Sequence, residues 1–197
     1  MREGCDPQDP WLDRWLPLLA QRAAGMPVLE LGCGSGDDSE VLAAHGFSVT
    51  GLDLSEDALV EARARVPGGE FLQQDLRAPL PVSPGTVGVV LASLCLHYFP
   101  WNETEAAVSG IHAALRPGGV LLCRLNSTHD VNHGATGFPA IDENYYLVDG
   151  HPKRFFDQPS VRRLFGEGWE RIAEEALITH KYERPKHVWE VVVGKVP

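Results

Sequence analysis

The sequence predicts a doubly wound α/β fold built on a parallel sheet, and three observations carry that expectation. Short apolar runs alternate with helical stretches from Val28 to Leu125. Several of those runs are apolar throughout, not at every second residue, which marks strands covered on both faces. The first run ends in a glycine-rich turn, VLELGCGSG at Val28 to Gly36. In such sheets ligands lie beyond the carboxyl ends of the strands, where the strand order reverses.

The elements follow in order. Trp11 to Ala24 has apolar residues at helical spacing, with Pro17 placed to kink or restart the helix, and residues 1–26 form a helical cap. Val28 to Leu31 reads as a strand. Ser39 to His45 reads as a helix closed by Gly46, and Ser48 to Leu52 as the second strand. A helix from Ser55 or Glu56 to Val66 ends at Pro67-Gly68. Phe71 to Gln73 and Val87 to Leu94 are further strands. Glu103 to Leu115 is a helix stopped by Arg116-Pro117-Gly118-Gly119, and Val120 to Leu125 is the strand after it. Residues 127–157 then break the pattern with a polar, aromatic, glycine-containing stretch, and a loop of that length inside one domain is more often functional or separately folded than plain connection. Pro159 to Phe165 reads as a helix. Trp169 to Leu177 and Val188 to Gly194 read as an antiparallel hairpin at the sheet edge.

The 197 residues suit a single domain. The formal charge of −10 argues against a nucleic-acid backbone or an anionic membrane surface as partner. The N-terminus lacks a secretory apolar core, and no run approaches ~18 apolar residues, so a cytoplasmic protein is expected. Cys5, Cys33, Cys95 and Cys123 are widely spaced, which signals neither a zinc site nor a disulfide framework.

The glycine turn sets the chemistry. Gly32, Gly34 and Gly36 have the spacing G-x-G-x-G, whereas nicotinamide proteins use G-x-G-x-x-G with a pyrophosphate on the helix N-terminus. Here Asp37 and Asp38 follow at once and would repel a phosphate, while they complement the helix dipole when the ligand has none. S-adenosylmethionine is such a ligand, and Glu30 at the strand tip can face its cationic side. Asp53 in GLDLS, at the tip of the second strand, suits the ribose hydroxyls. Asp75 in QQDL can accept from the adenine amino group, with Leu54 and Leu76 flanking the ring.

VLELGCGSG, GLDLS, QQDL, the strand Val87 to Leu94 and LRPGG at Leu115 to Gly119 together resemble the class I S-adenosylmethionine-dependent methyltransferases. The resemblance spans roughly Val28 to Asn126. It implies a Rossmann-like, seven-stranded, mostly parallel sheet with an antiparallel last strand. It also implies cofactor contacts at Gly32, Cys33, Gly34 and Gly36, at Asp53, at Asp75 and Leu76, and near Ser93. Family members often open the fourth strand with an aromatic-Asp pair, where this chain has Val87-Gly88.

Acceptor-side residues are harder to choose. His97, after the fourth strand, is either a base or a histidine packed under the loop, and Tyr98 adjoins it. Arg124 and Asn126 share one face of the fifth strand, where the arginine either binds an acidic substrate or pairs within the fold. His129, Asp130 and His133 have metal-like spacing but no evident fourth ligand, so a solvated polar loop is expected and no metal. Tyr145, Tyr146, Lys153 and Arg154 suit residues 127–157 to an acceptor-binding lid. Trp11 and Trp15 either close over the cofactor or pack on the sheet. NSTHDVNHG, KRFFD and RPKHVWEVV are similar to bacterial small-molecule methyltransferases near the tellurite-resistance group, which implies a small acceptor such as a thiol, a metalloid oxyanion or an organic acid. The expected function is methyl transfer to a small molecule, against a protein or RNA methyltransferase, a nicotinamide oxidoreductase or a non-catalytic cofactor sensor.

Overall fold

The computed structural model describes residues 9–196; Met1 to Gln8, with Cys5, and Pro197 lie outside the described residues. In chain order the elements are α1 (Leu16–Ala23), β1 (Val28–Leu31), α2 (Asp37–Ala44), β2 (Val49–Asp53), α3 (Glu56–Arg65), β3 (Glu70–Gln73) and β4 (Val87–Ser93). Then come α4 (Trp101–Ala114), β5 (Leu115–Asn126), β6 (Ala140–Asp142), β7 (Tyr145–Val148), β8 (His151–Arg154), α5 (Gln158–Leu164), β9 (Trp169–Thr179) and β10 (Lys186–Lys195).

The seven-stranded sheet runs β3-β2-β1-β4-β5-β10-β9. The β1–β5 strands pair in parallel, and β10 is antiparallel to both neighbours. The strand order reverses between β1 and β4, so a ligand is expected above their carboxyl ends. Alternate side chains feed two cores, as the uniformly apolar strands require. Leu29, Val90, Leu121 and Val191 pack with the α4 and α5 side, including Ile111 and Val161. Val28, Leu91, Leu122 and Val192 pack with Leu12 and Leu19 on the α1 side.

Local chemistry explains most boundaries. Pro17 falls in the first turn of α1, where its missing N–H costs nothing, so the helix restarts there after a 3-10 turn at Asp13–Trp15. Ser55 caps α3 by accepting from Ala58 N, and Asp157 caps α5 by accepting from Ser160 N. The second helix begins at Asp37, not Ser39, and its first turn gathers Asp37, Asp38 and Glu40 against the positive end of the helix dipole. The Val87-Gly88 departure has a steric reason: a Cβ at Gly88 would stand 2.3 Å from the Arg22 carbonyl oxygen. The end of α1 therefore presses directly on the β4 backbone.

Residues 127–157 are not a plain loop. They fold as a three-stranded antiparallel sheet, β6-β7-β8, over a small core of Ala135, Val148 and Phe155 with Phe138 and Tyr146. The β7–β8 turn is built on Asp149-Gly150, both at positive φ (50° and 81°). An Asp-Gly pair between two strands is a strong hairpin signal, so this element was readable in advance.

Candidate functional site

At the carboxyl ends of β1 and β4 two adjoining cavities form one groove. The larger, about 420 Å³, is lined by Asp53, Leu54, Asp75, Leu76, Tyr98 and Phe99 among others. The smaller, about 180 Å³, is lined by Glu30, Cys33, Gly34, Asp37, Asp38, Ser93, Lys181 and Tyr182 among others. Gly32 and Leu94 line both, so the groove bends over them.

Gly32 is where two backbones meet. Its φ is 65°, and a Cβ there would stand 2.4 Å from Cys95 Cβ. Opposite it, Leu94 is held at φ 54°, an uncommon conformation for a bulky residue, by its N–H bond to the Arg124 carbonyl at 2.9 Å. Strain of this kind persists where surrounding structure enforces it, often at binding sites. Leu94 escaped the sequence reading because no residue type announces it.

Asp53 is tied to the loop it serves: Oδ2 accepts from Gly34 N at 2.8 Å and Oδ1 from Ser55 N at 2.9 Å. Asp75 also reaches the groove, but Arg77 grips both its oxygens, with Nε at 3.0 Å from each. That guanidinium holds the Asp75 carboxyl below the usual range. Any further donor must share an occupied carboxylate.

Glu30 is buried and accepts from the Ser39 hydroxyl. Burial, with Asp38 adding repulsion, pushes its pKa up to about 8. Below that pH the folded chain holds a proton that the unfolded chain releases near pH 4.5. Stability therefore falls as pH rises from about 4.5 to about 8. Glu30→Gln should flatten that segment of a denaturation-versus-pH series, and an unchanged slope would assign the effect to another group.

Asp38 accepts from Trp11 Nε1 at 3.0 Å, and burial raises its pKa. Asp37 is paired with Lys181 at 3.1 Å and Arg65 at 3.0 Å. Cys33 lines the groove as a buried thiol whose pKa burial raises further. Cys95 and Cys123 are likewise buried and free.

The acceptor-side expectations divide. His97 is buried, its Nδ1 has no partner among the described residues, and burial lowers its pKa to about 3, so it stays neutral through the working range. Asn126 is fully buried, and neither its oxygen nor its nitrogen has a partner among the described residues. Tyr98 is partly exposed in the larger cavity. Four candidates line neither limb of the groove. Arg124 is a structural cation: Nε donates to Glu190 at 3.0 Å, Nη1 to Asp9, and the guanidinium lies 4.4 Å from the Trp11 ring. His129 is exposed and lines neither cavity. Tyr146 packs 6.0 Å from Phe155 in the small sheet's own core. Arg154 faces a different cavity.

The H-D-x-x-H segment is also not a solvated loop. Asp130 is buried, accepting from Lys186 Nζ at 2.9 Å, from His187 N at 3.2 Å, and meeting His133 Nδ1 at 2.9 Å. It fastens residues 127–157 to β10. Among the described residues no group of three or more His, Cys, Asp or Glu is placed to hold a metal ion. Trp15 Nε1 donates to Glu190 at 2.7 Å, so both N-terminal tryptophans join structural networks.

A parallel doubly wound sheet with a glycine turn, an anchored acid at the second strand tip and no basic residue in that turn defines a protein for a nucleoside cofactor without phosphate. Residues 28–119 match the family described as a methyltransferase domain. The putative methyltransferase YqeM of Bacillus subtilis is 32% identical over 182 residues, covering 79% of this chain and 71% of that protein. Trans-aconitate 2-methyltransferase of Paracidovorax citrulli is 36% identical over 105 residues, 52% of this chain and 40% of that protein. The chain thus spans less than half the length of some curated relatives it matches. An S-adenosylmethionine-dependent methyltransferase structure from Mesorhizobium loti shares the fold, with TM-score 0.75, 23% identity and coverage of 98% and 100%. The chain belongs to the class I S-adenosylmethionine-dependent methyltransferases.

Proposed function

We propose that this chain catalyses methyl transfer from S-adenosylmethionine to a small polar acceptor. The observation that carries the reading is the bent groove. Its larger limb suits adenosine and its smaller limb an amino-acid tail, with the bend at Gly32 and Leu94. The cofactor supplies an activated methyl group on a sulfonium. Glu30, ionised on meeting a cationic guest, balances that charge, and Asp53 accepts from the ribose hydroxyls. Leu54 and Leu76 flank the adenine.

The protein's part in an in-line displacement is mostly positioning. His97 is too weakly basic to remove a proton from an ordinary alcohol and lines neither limb of the groove, so it is assigned no proton transfer. Asn126 offers both a donor and an acceptor at the end of β5. Tyr98 and Tyr182 flank the bend. The relative named for trans-aconitate supports a small organic acid as acceptor. The net charge of −10 favours that over RNA.

Asp53→Ala should weaken S-adenosylmethionine binding by about 1–3 kcal/mol, since the hydroxyls lose a charged acceptor. Isothermal titration reads this directly, and unchanged affinity would place the ribose elsewhere. The reading as a whole is tested by incubating the chain with methyl-labelled cofactor and fractionated cell extract. Label in small molecules is the expected result. Label in protein or RNA, or cofactor binding with no turnover, would sink it.

A further inference from the structure

A second cavity of about 410 Å³ opens between the start of α4, the β6-β7-β8 sheet and α5, with Trp101, Asp142, Glu143, Arg154 and Arg163 in its lining. It has no lining residue in common with the groove. Arg154 is 4% exposed, and its Nη2 has no hydrogen-bond partner among the described residues. Asp142 Oδ2 stands 4.0 Å from it, too far for a hydrogen bond. The rest of the guanidinium is fixed: Nε donates to the Phe99 carbonyl at 3.4 Å and Nη1 to the Glu143 carbonyl at 3.2 Å. It lies 4.6 Å from the Tyr145 ring centre and 5.3 Å from that of Trp101.

Trp101 Nε1 is also buried and has no hydrogen-bond partner among the described residues. Both unsatisfied groups are donors, and leaving such groups unmatched is costly, so the fitting occupant brings acceptor oxygens. Arg163 lies 4.5 Å from the face of the same indole and adds positive charge. Asp142, Glu143 and Asp157 also line the cavity, which disfavours a polyanion and favours a guest with a cationic group of its own.

We propose that this cavity binds a small amino-acid-like zwitterion, its carboxylate on Arg154 Nη2 and Trp101 Nε1 and its ammonium toward Asp142 and Glu143. The site is separate from methyl transfer and stands without that reading. It adjoins the groove through the Arg154 bond to the Phe99 carbonyl and the Tyr145 hydroxyl bond to the Tyr98 carbonyl, two residues that line the larger limb.

The test is a ligand-observed NMR titration of the full chain with γ-aminobutyrate, and with butyrate and butylammonium as single-charge probes. Saturable binding of γ-aminobutyrate, tighter than either single-charge probe and undisturbed by excess S-adenosylmethionine, is expected. Trp101→Phe keeps a ring and removes only the indole donor, and should weaken binding about 5- to 10-fold. Asp142→Asn should bring γ-aminobutyrate down to the affinity of butyrate. Both variants are first checked for an unchanged unfolding midpoint, because loss of Arg154 itself could unfold the small sheet. Absence of saturable binding, equal binding of butylammonium, displacement by S-adenosylmethionine, or indifference to both substitutions would overturn the assignment.

Discussion

Glu190→Leu is expected to destabilise the fold by about 3–5 kcal/mol, because it strips a buried carboxylate from a cluster of donors. Glu190 is 1% exposed on β10. It accepts from Arg124 Nε at 3.0 Å, from Arg14 through Nε at 3.0 Å and Nη2, and from Trp15 Nε1 at 2.7 Å. Leucine would leave Arg124 buried with Asp9 as its remaining carboxylate and would orphan the Trp15 donor. Replacing both members by apolar residues, Arg124→Met with Glu190→Leu, should recover part of the loss, since a buried pair is dear to break and cheap to replace. Urea denaturation with an unchanged m-value measures both. A double variant no more stable than the single one would show that the ion pair is not the source.

Gly32→Ala should damage stability and cofactor binding together. The added Cβ meets Cys95 Cβ at 2.4 Å, and φ of 65° strains any side chain even where space exists. Overpacking and backbone strain together are expected to cost about 2–5 kcal/mol. Relief comes only by moving the loop or the strand end, and both line the bend of the groove. Cofactor affinity should therefore fall more than tenfold in material that still folds. An alanine variant of native stability and affinity would refute the close approach.

The two networks explain why the fold was more legible than the acceptor side. Strand positions were readable because parallel strands are apolar throughout, and the glycine turn because it needs residue types with few other uses. Asp53 and Glu30 followed from where the strands had to end. For Arg124 a pair within the fold was readable but its partner was not, because the carboxylate that claims it, Glu190, lies 66 residues away and nothing local records the pairing. Asp130 misled for the same reason: its partner Lys186 is 56 residues on. NSTHDVNHG and RPKHVWEVV, which suggested a narrower likeness to the tellurite-resistance group, supply the two ends of that Asp130–Lys186 link.

Other gaps had other causes. The β6-β7-β8 sheet carries a legible Asp-Gly turn, but its strands are only three or four residues long, too short to show a clear alternation. Leu94 was not legible at all, since its conformation is imposed by the Arg124 carbonyl and not by its own side chain. Asn126 was placed on the right strand face, and only the structure shows that its amide is left without a partner among the described residues.

The position of β10 bears on how this protein comes into being during synthesis. It sits between β5 and β9, so the sheet has a missing slat until residues 186–195 have left the ribosome. Until then β5 presents an unpaired apolar edge, and Arg124 and Asp130 wait without their carboxylate and ammonium. Pairings this distant in sequence are slow to form and leave a sticky intermediate meanwhile. The strand that closes the sheet between β5 and β9 is thus the last strand to be synthesised.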